Sequence, residues 1–511
     1  MKLKVFIGLS FLCCISMLNA QDVNFNIDQK LWQEDFQFLK KKIEKTVPAY
    51  QIPENKKAFD EVYEIIRDSD VGNQKEEIVY GLQRLLNTLN DEGCNVPLFQ
   101  KGVALKLSPI KTYWFNDGLF VLDATESNKD IIGQQIVKIN DAPVEEVFET
   151  LKPLINADND YYKKHLFQAY GLMPSVLKLM GFGNNDNEVS LQFASGKTKQ
   201  IISSSINDYA QLSRGLPNDE LFSFTNTSHE NENYWFEFLP NSKTLFVQLQ
   251  RIVNNENGES FSDFVSQIET LIKRKKADKI ILDVRYGGGG NGFKLKKFTD
   301  LLRDAKAINQ NGNLFVLTSR TTRGTLLELV SILKLNTKAV IVGEPTAEGV
   351  NTVGDIRYAT LPNSGIIVSL THTLWSTSWE KDTSTFLQPD ILVKYYYSDK
   401  ASNQDSWLDA VRSYKVKISR VSIPDDLQEG LIGTYKIEGR KVTIEDRNGR
   451  LFLTMNRKMK SFFEIHTELY FQSDGVLATD IDGVEIKYNK NSSGVLKLQY
   501  IQWQHLNLKI D

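Results

Sequence analysis

KIILDVRYGGGGNG, Lys279 to Gly292, constrains this chain more than any other stretch. An almost unbroken apolar strand, the pattern of one buried on both faces, runs straight into four consecutive glycines. A helix over Phe293–Asp304, a strand over Leu314–Thr318, a helix over Leu326–Leu335 and a strand over Ala339–Val342 are predicted to follow. Upstream, Thr244–Val253 reads as a strand and Phe261–Lys275 as an amphipathic helix. Strands alternating with helices require crossover connections and a sheet with parallel strands, so residues 233–415 are expected to form an α/β core.

Other units flank it. Residues 21–95 carry apolar residues at helical spacing, among them Ile78, Leu82, Leu85, Leu86 and Leu89, and are expected to form a helical domain. Residues 96–232 mix short strands and helices. Within them Gly133–Leu151 reads as a strand, a turn at Asn140-Asp141 and a helix entered at Pro143. Residues 425–511 alternate apolar and polar positions between Asn448-Gly449, Asp474-Gly475, Asp482-Gly483 and Ser493-Gly494, which predicts a separate antiparallel β-barrel or sandwich. The whole is a multi-domain α/β chain.

The first 20 residues are expected to be a signal peptide. Lys2 and Lys4 precede the apolar run Val5–Leu18, and a small residue, Ala20, stands at the cleavage point before Gln21. Cys13 and Cys14 raise a lipoprotein anchor, but the apolar run continues past them. Export to the periplasm or the extracellular space is therefore expected, with no later segment apolar enough to span a bilayer. Of the 3 cysteines only Cys94 lies beyond that segment, so neither a disulfide framework nor a thiolate metal cluster is expected. A net charge of −3 gives no footprint for nucleic acid. The basic run Lys273–Lys276 ends a helical pattern, where it complements the negative helix terminus.

Gly287–Gly292 satisfies G-x-G-x-x-G between a strand and a helix, the context of a dinucleotide site. Arg320 would then face a 2′-phosphate, but no acidic residue ends the next strand, and Arg285 stands just ahead of the glycines. No Gly-Lys-Ser/Thr closes the turn as a phosphate loop requires. The alternative is an oxyanion nest, in which consecutive glycines aim backbone N–H groups at one point. Four in a row exceed what a tight turn needs, and no cofactor is expected.

DVRYGGGGNG, followed by a small-residue helix start and then IVGEPT (Ile341–Thr346), resembles the tail-specific, or C-terminal processing, serine peptidases, in the tricorn-like branch without a catalytic lysine. The resemblance runs from about residue 75 to 412. It includes NTLNDEGCNVPL (Asn87–Leu98), similar to the segment with the family's base, DTSTFLQPDI (Asp382–Ile391), and Gly133–Leu151 as a PDZ-like region. The resemblance implies a serine-type peptidase fold with an oxyanion and substrate-binding turn at Gly288, Gly289, Gly290 and Asn291. It places the nucleophile nineteen residues before Gly343, at Gly324, the base at Gly93 and the acid at Asp382. Nucleophile and base are thus both glycine.

Three readings follow. The first is a pseudo-peptidase that binds peptides or protein C-termini by strand addition and carboxylate capture. The second is an active peptidase with displaced machinery, Thr325 as nucleophile and His372, one of 5 histidines, as base. The third is a nucleotide-binding protein using Gly287–Gly292.

Overall fold

A computed structural model describes residues 23–69, 75–97, 100, 103, 106–212, 229, 232–239, 241–256, 258–416, 420–458, 461–490 and 496–510. The expected signal peptide and the Ser493-Gly494 turn lie outside them.

The α/β core is a six-stranded sheet ordered Ile391–Leu392, Val340–Gly343, Leu314–Thr318, Lys279–Asp283, Thr244–Leu249, Tyr234–Phe238. Its strands run parallel except for the last, an antiparallel edge on Thr244–Leu249. The crossovers are helices Phe261–Lys273, Lys296–Asp304 and Gly324–Asn336. The first begins with a capping box. Ser260 Oγ accepts from the Asp263 N–H at 3.1 Å, and the Asp263 carboxylate accepts from the Ser260 N–H at 3.0 Å. The last is buried along nearly its whole length, which explains its apolar sequence. The second helix starts at Lys296, three residues later than expected, because a single 3₁₀ turn, Gly292–Lys294, intervenes.

The three N-terminal helices, Gln29–Thr46, Pro53–Asp68 and Lys75–Asn87, do not have a core of their own. Trp32, Phe36, Phe59 and Leu86 join one apolar cluster with Val121 and Ile139 of the next region and with Leu361 and Val368. That region is an antiparallel sheet ordered Ile110–Phe115, Gly118–Ala124, Gln135–Ile139, Glu188–Phe193, Thr198–Ile202. The turn at Asn140 and Asp141 has φ of 44° and 68°, and Pro143 caps helix Val144–Leu151 from just outside it.

Past helix Asp425–Leu431, eight strands from Gly433–Ile437 to Leu506–Lys509 follow one another as an antiparallel meander. An Ile437–Ile510 bridge brings its two ends together into a near-barrel. Asn448 and Gly449 form its second hairpin loop, past the pair Asp446–Leu451, with φ of 59° and 75°, the left-handed pair that a type I′ turn demands. The barrel docks on the core through Trp379, whose ring meets Phe463 at 5.1 Å and Trp503 at 5.8 Å.

Where the central strand Lys279–Asp283 ends, a buried ion-pair triad fixes the exit of the chain. Arg285, 1% exposed, donates through Nε and Nη2 to both Asp283 oxygens at 2.9 and 2.8 Å, and through Nη1 to Asp405 at 2.9 Å. Arg285→Ala leaves two buried carboxylates without their cation. It should cost roughly 3–5 kcal/mol of stability, read as a lowered urea midpoint; a loss under about 1 kcal/mol would contradict this role.

Candidate functional site

The hydroxyl-rich turn Thr318–Thr322 is tied to the segment that precedes the glycines. Ser319 Oγ donates to the Arg285 carbonyl at 2.6 Å, and Thr322 Oγ1 donates to the Val284 carbonyl at 2.9 Å. Thr321 also donates to the Arg285 carbonyl. These hydroxyls hold backbone, which removes them as free nucleophiles.

The four glycines have different reasons to be glycine. A Cβ on Gly287 would lie 2.1 Å from the Gln250 carbonyl oxygen, and one on Gly290 would lie 2.5 Å from that of Ile252, so both permit close backbone approach. A Cβ on Gly288 would meet Arg323 Cγ at 2.5 Å. Gly289 has open space where a side chain would be, yet its φ of 83° is one that L-residues rarely adopt. Asn291 turns its amide oxygen back onto the Phe293 N–H at 3.0 Å.

Gly324 opens its helix with φ 53°, and a Cβ there would lie 3.0 Å from the Gly289 nitrogen. A side chain at this position would therefore be aimed into the glycine turn, the geometry of a nucleophile at a strained strand-to-helix elbow. The Gly324 N–H donates to Glu348 Oε2 at 2.9 Å, so a carboxyl group caps the helix. Arg323 forms an ion pair with Glu92 and lies over the Tyr162 ring at 5.7 Å. Burial, reinforced by the charge of Glu92, pushes the Glu348 carboxyl well above the usual carboxylate range.

Gly93 lies beside Glu92 in the same cavity. Its N–H donates to Asp91 Oδ1 at 3.0 Å, and Ser369 Oγ donates to its carbonyl at 2.8 Å. A Cβ on Gly93 would meet Thr371 Cγ2 at 2.4 Å, so the space for a side chain is taken by a methyl group. Asp91 is fully buried and accepts from Gly93, Thr371 and, at 3.2 Å, the free thiol of Cys94. Burial nonetheless raises its pKa to about 6.

Gly93, Gly288, Gly289, Gly290, Asn291, Gly324 and Thr325 all line one cavity of about 950 Å³, so the structure brings these expected site residues together. It does not bring His372 or Asp382 to that lining. The N–H of His372 donates to the Gly354 carbonyl at 2.9 Å, and its Nδ1 lies 3.1 Å from the Leu370 carbonyl, so this half-buried strand-end histidine is engaged with backbone. Of the expected pair, Thr325 lines the cavity and His372 does not. Asp382 accepts from Ser378 Oγ and Ser384 Oγ, both at 2.6 Å, and serves its own loop. The histidine that does line the cavity is His165, stacked on Tyr162. Burial, with Arg320, Lys111 and Arg323 around it, holds the ring down to about 3, too weak a base to activate a hydroxyl at neutral pH.

Sequence reasoning missed Glu92, Arg323, Glu348 and Glu328, which also line the cavity. The signal was present, since Glu92 and Arg323 each adjoin one of the two glycines and Glu328 is the one acidic residue in an apolar helix. Among the described residues no group of three or more His, Cys, Asp and Glu side chains is arranged to hold a metal ion, and no helix is long and apolar enough to cross a membrane.

No protein-family model matches the chain, and neither does any curated protein. Solved structures do. Mature CPAF complexed with lactacystin aligns over 75% of this chain and 97% of its own, at 11% identity and a TM-score of 0.51. A CPAF serine-to-alanine mutant aligns over 76% and 99%, at 13% identity and a TM-score of 0.52. The likeness is one of fold, and the chain has the multi-domain α/β architecture of the tail-specific peptidase fold.

The pKa of Asp91 in the folded chain, about 6, lies above that of an unfolded aspartate. Its contribution to stability is fully present below the unfolded value, about 3.9, and is lost as pH rises through about 6. Relative to the native chain, Asp91→Asn should therefore gain stability across that window at about 1.4 kcal/mol per pH unit. Urea unfolding at several pH values checks this, and a difference between the two chains that stays flat from about pH 4 to 6.5 would exclude it.

Proposed function

We propose that this chain is an exported, catalytically silent member of the tail-specific serine peptidase family, which binds peptide segments or protein C-termini in the glycine-lined cavity without cleaving them. The observation that carries the reading is Gly324: its backbone has the conformation of a nucleophile elbow, its Cβ direction leads to the Gly289 nitrogen at 3.0 Å, and it has no side chain. Gly93, in the position of the base, is packed against Thr371. Between them stand Glu92, Arg323 and Glu348, an ion pair and a buried acid that supply no hydroxyl or thiol nucleophile.

Removing nucleophile and base from a serine triad costs about six orders of magnitude, leaving only oxyanion and binding effects. Once one member is lost the other adds almost nothing, so the two glycines are a coherent pair of losses. What remains is a cavity of about 950 Å³ lined by Lys111, Tyr113 and Phe115 of the Ile110–Phe115 strand and by residues of the core, with room for a peptide segment. Export rests on the apolar run Val5–Leu18 and the small residue before Gln21.

The native chain, incubated with an unfolded protein and a pool of peptides varied at the C-terminus, should bind peptides and give no cleavage products by mass spectrometry. A triple variant, Gly93→His, Gly324→Ser and Thr371→Ser, should cleave at least about tenfold above the native background. The third change removes the methyl that fills the base's space and keeps the hydroxyl that donates to Asp91. Cleavage by the native chain above a mock-purified control would refute the reading, as would peptide affinity no better than that of an unrelated protein.

A further inference from the structure

Glu328 lines the cavity but has been given no role in it so far. It lies one turn past Gly324 in the helix Gly324–Asn336, is 6% exposed, and its Oε2 is buried without a hydrogen-bond partner. Burying a carboxyl group unpaired is costly, and helix packing alone would favour an aliphatic residue at this position. Its surroundings explain what would compensate it.

Three aromatic rings line the same part of the cavity. Phe293 meets Trp375 at 5.9 Å and Phe462 at 5.7 Å, and Trp375 meets Phe462 at 5.5 Å, so the three rings form one continuous wall. They grade from outside to inside: Phe293 is 64% exposed, Trp375 half-buried and Phe462 4% exposed. Gly292 lies where the wall and the carboxyl meet, since a Cβ there would lie 2.3 Å from Glu328 Oε2 and 2.6 Å from Phe462 Cζ. Exposed Asp355 lines the cavity as well, and its charge joins burial in raising the Glu328 pKa to about 7. An aromatic wall ending at a buried acid is the composition that receives a cation on a long apolar stem.

We propose that this corner is a specificity subsite for a basic side chain, arginine or lysine, of the bound peptide: the stem lies along Phe293 and Trp375, and the cation meets the Glu328 carboxylate beside Phe462, with Asp355 at the entrance. The inference rests on the peptide-binding reading above and gives it a substrate class. It also assigns the near-barrel a role in recognition, because Phe462 lies between two of its strands. Phe462 is held in place by its own N–H donating to the Ser376 carbonyl at 3.0 Å.

The test compares an arginine-containing hexapeptide with its citrulline counterpart, which keeps the shape and removes the charge. N-acetyl-arginine methylamide and its citrulline analogue serve as small probes that need no peptide cleft. All are titrated calorimetrically into the full chain and into Glu328→Gln. Unfolding curves first establish that the variant folds, and Trp375→Leu is a second, independent variant.

In the native chain the arginine forms should bind at least about tenfold tighter than the citrulline forms. Glu328→Gln should reduce that ratio to within about twofold while leaving the citrulline peptide's affinity unchanged, and Trp375→Leu should weaken the arginine forms more than the citrulline ones. A Glu328-dependent preference in the small probes, with no peptide bound at all, supports the subsite and refutes the peptide-binding function. Peptide binding with arginine and citrulline equal overturns the subsite and leaves that function standing. Absence of binding by every probe overturns both.

Discussion

Three charges buried at the end of the central strand set the rest of the molecule in place. Arg285 pairs with Asp283, two residues behind it, and with Asp405, more than a hundred residues ahead in the chain. Such a triad brings little net stability over an apolar equivalent but tolerates no missing member, so it acts as a register device. It turns the chain sharply as the strand ends and leaves the Arg285 carbonyl facing Ser319, which donates to it at 2.6 Å. That bond joins two neighbouring strand ends. It fixes the Gly287–Gly292 turn and the start of the helix at Gly324 relative to each other, and the 3.0 Å approach of the Gly324 Cβ direction to Gly289 follows from it.

The backbone at residue 324 keeps a conformation that a side chain would strain. A residue with a Cβ at φ 53° pays roughly 1–2 kcal/mol, which is tolerable where a nucleophile needs the position. Glycine adopts the conformation without that strain, and the Arg285 triad and the Ser319 bond hold the neighbouring strand ends in place. Gly93 follows the opposite logic. There the conformation is ordinary, and the methyl group of Thr371 occupies the volume a side chain would take. One position is glycine for its backbone conformation and the other for the volume beside it. The Glu92–Arg323 ion pair joins the two segments.

Much of this was legible in the sequence because it depends on local rules. The apolar strand before the glycines, the capped helix at Phe261 and the Asn448-Gly449 hairpin each state their geometry within a few residues, and each element forms where it was expected. The late start of the helix at Lys296 came from a 3₁₀ turn that no periodicity shows. The failures were long-range. Nothing near His372 says that it stays out of the cavity lining, and nothing near His165 says that its helix brings it in. Glu92, Arg323 and Glu348 look like ordinary solvated charges until the fold sets them against one another. The N-terminal helices read as an independent unit, yet their apolar faces are completed by Leu361 and Val368 far along the chain.

The same long-range logic governs the C-terminal near-barrel, which looked like an appendage because its eight strands form a sheet of their own. Its loop between strands Leu451–Met455 and Ile465–Ser473 reaches the core. Phe463 enters the edge-on contact with Trp379, Ser461 Oγ donates to the Ser376 carbonyl at 3.2 Å, and Phe462 joins the apolar cluster of the core. A domain held only by a flexible tether would leave Phe462 in water, and the aromatic wall over Glu328 would then lack its innermost ring. Because the docking contact and the cavity wall use adjacent residues of one short loop, the barrel cannot shift without altering the cavity. The cavity is therefore built by the two units together, and the core on its own would have an incomplete wall around a buried acid whose Oε2 has no hydrogen-bond partner.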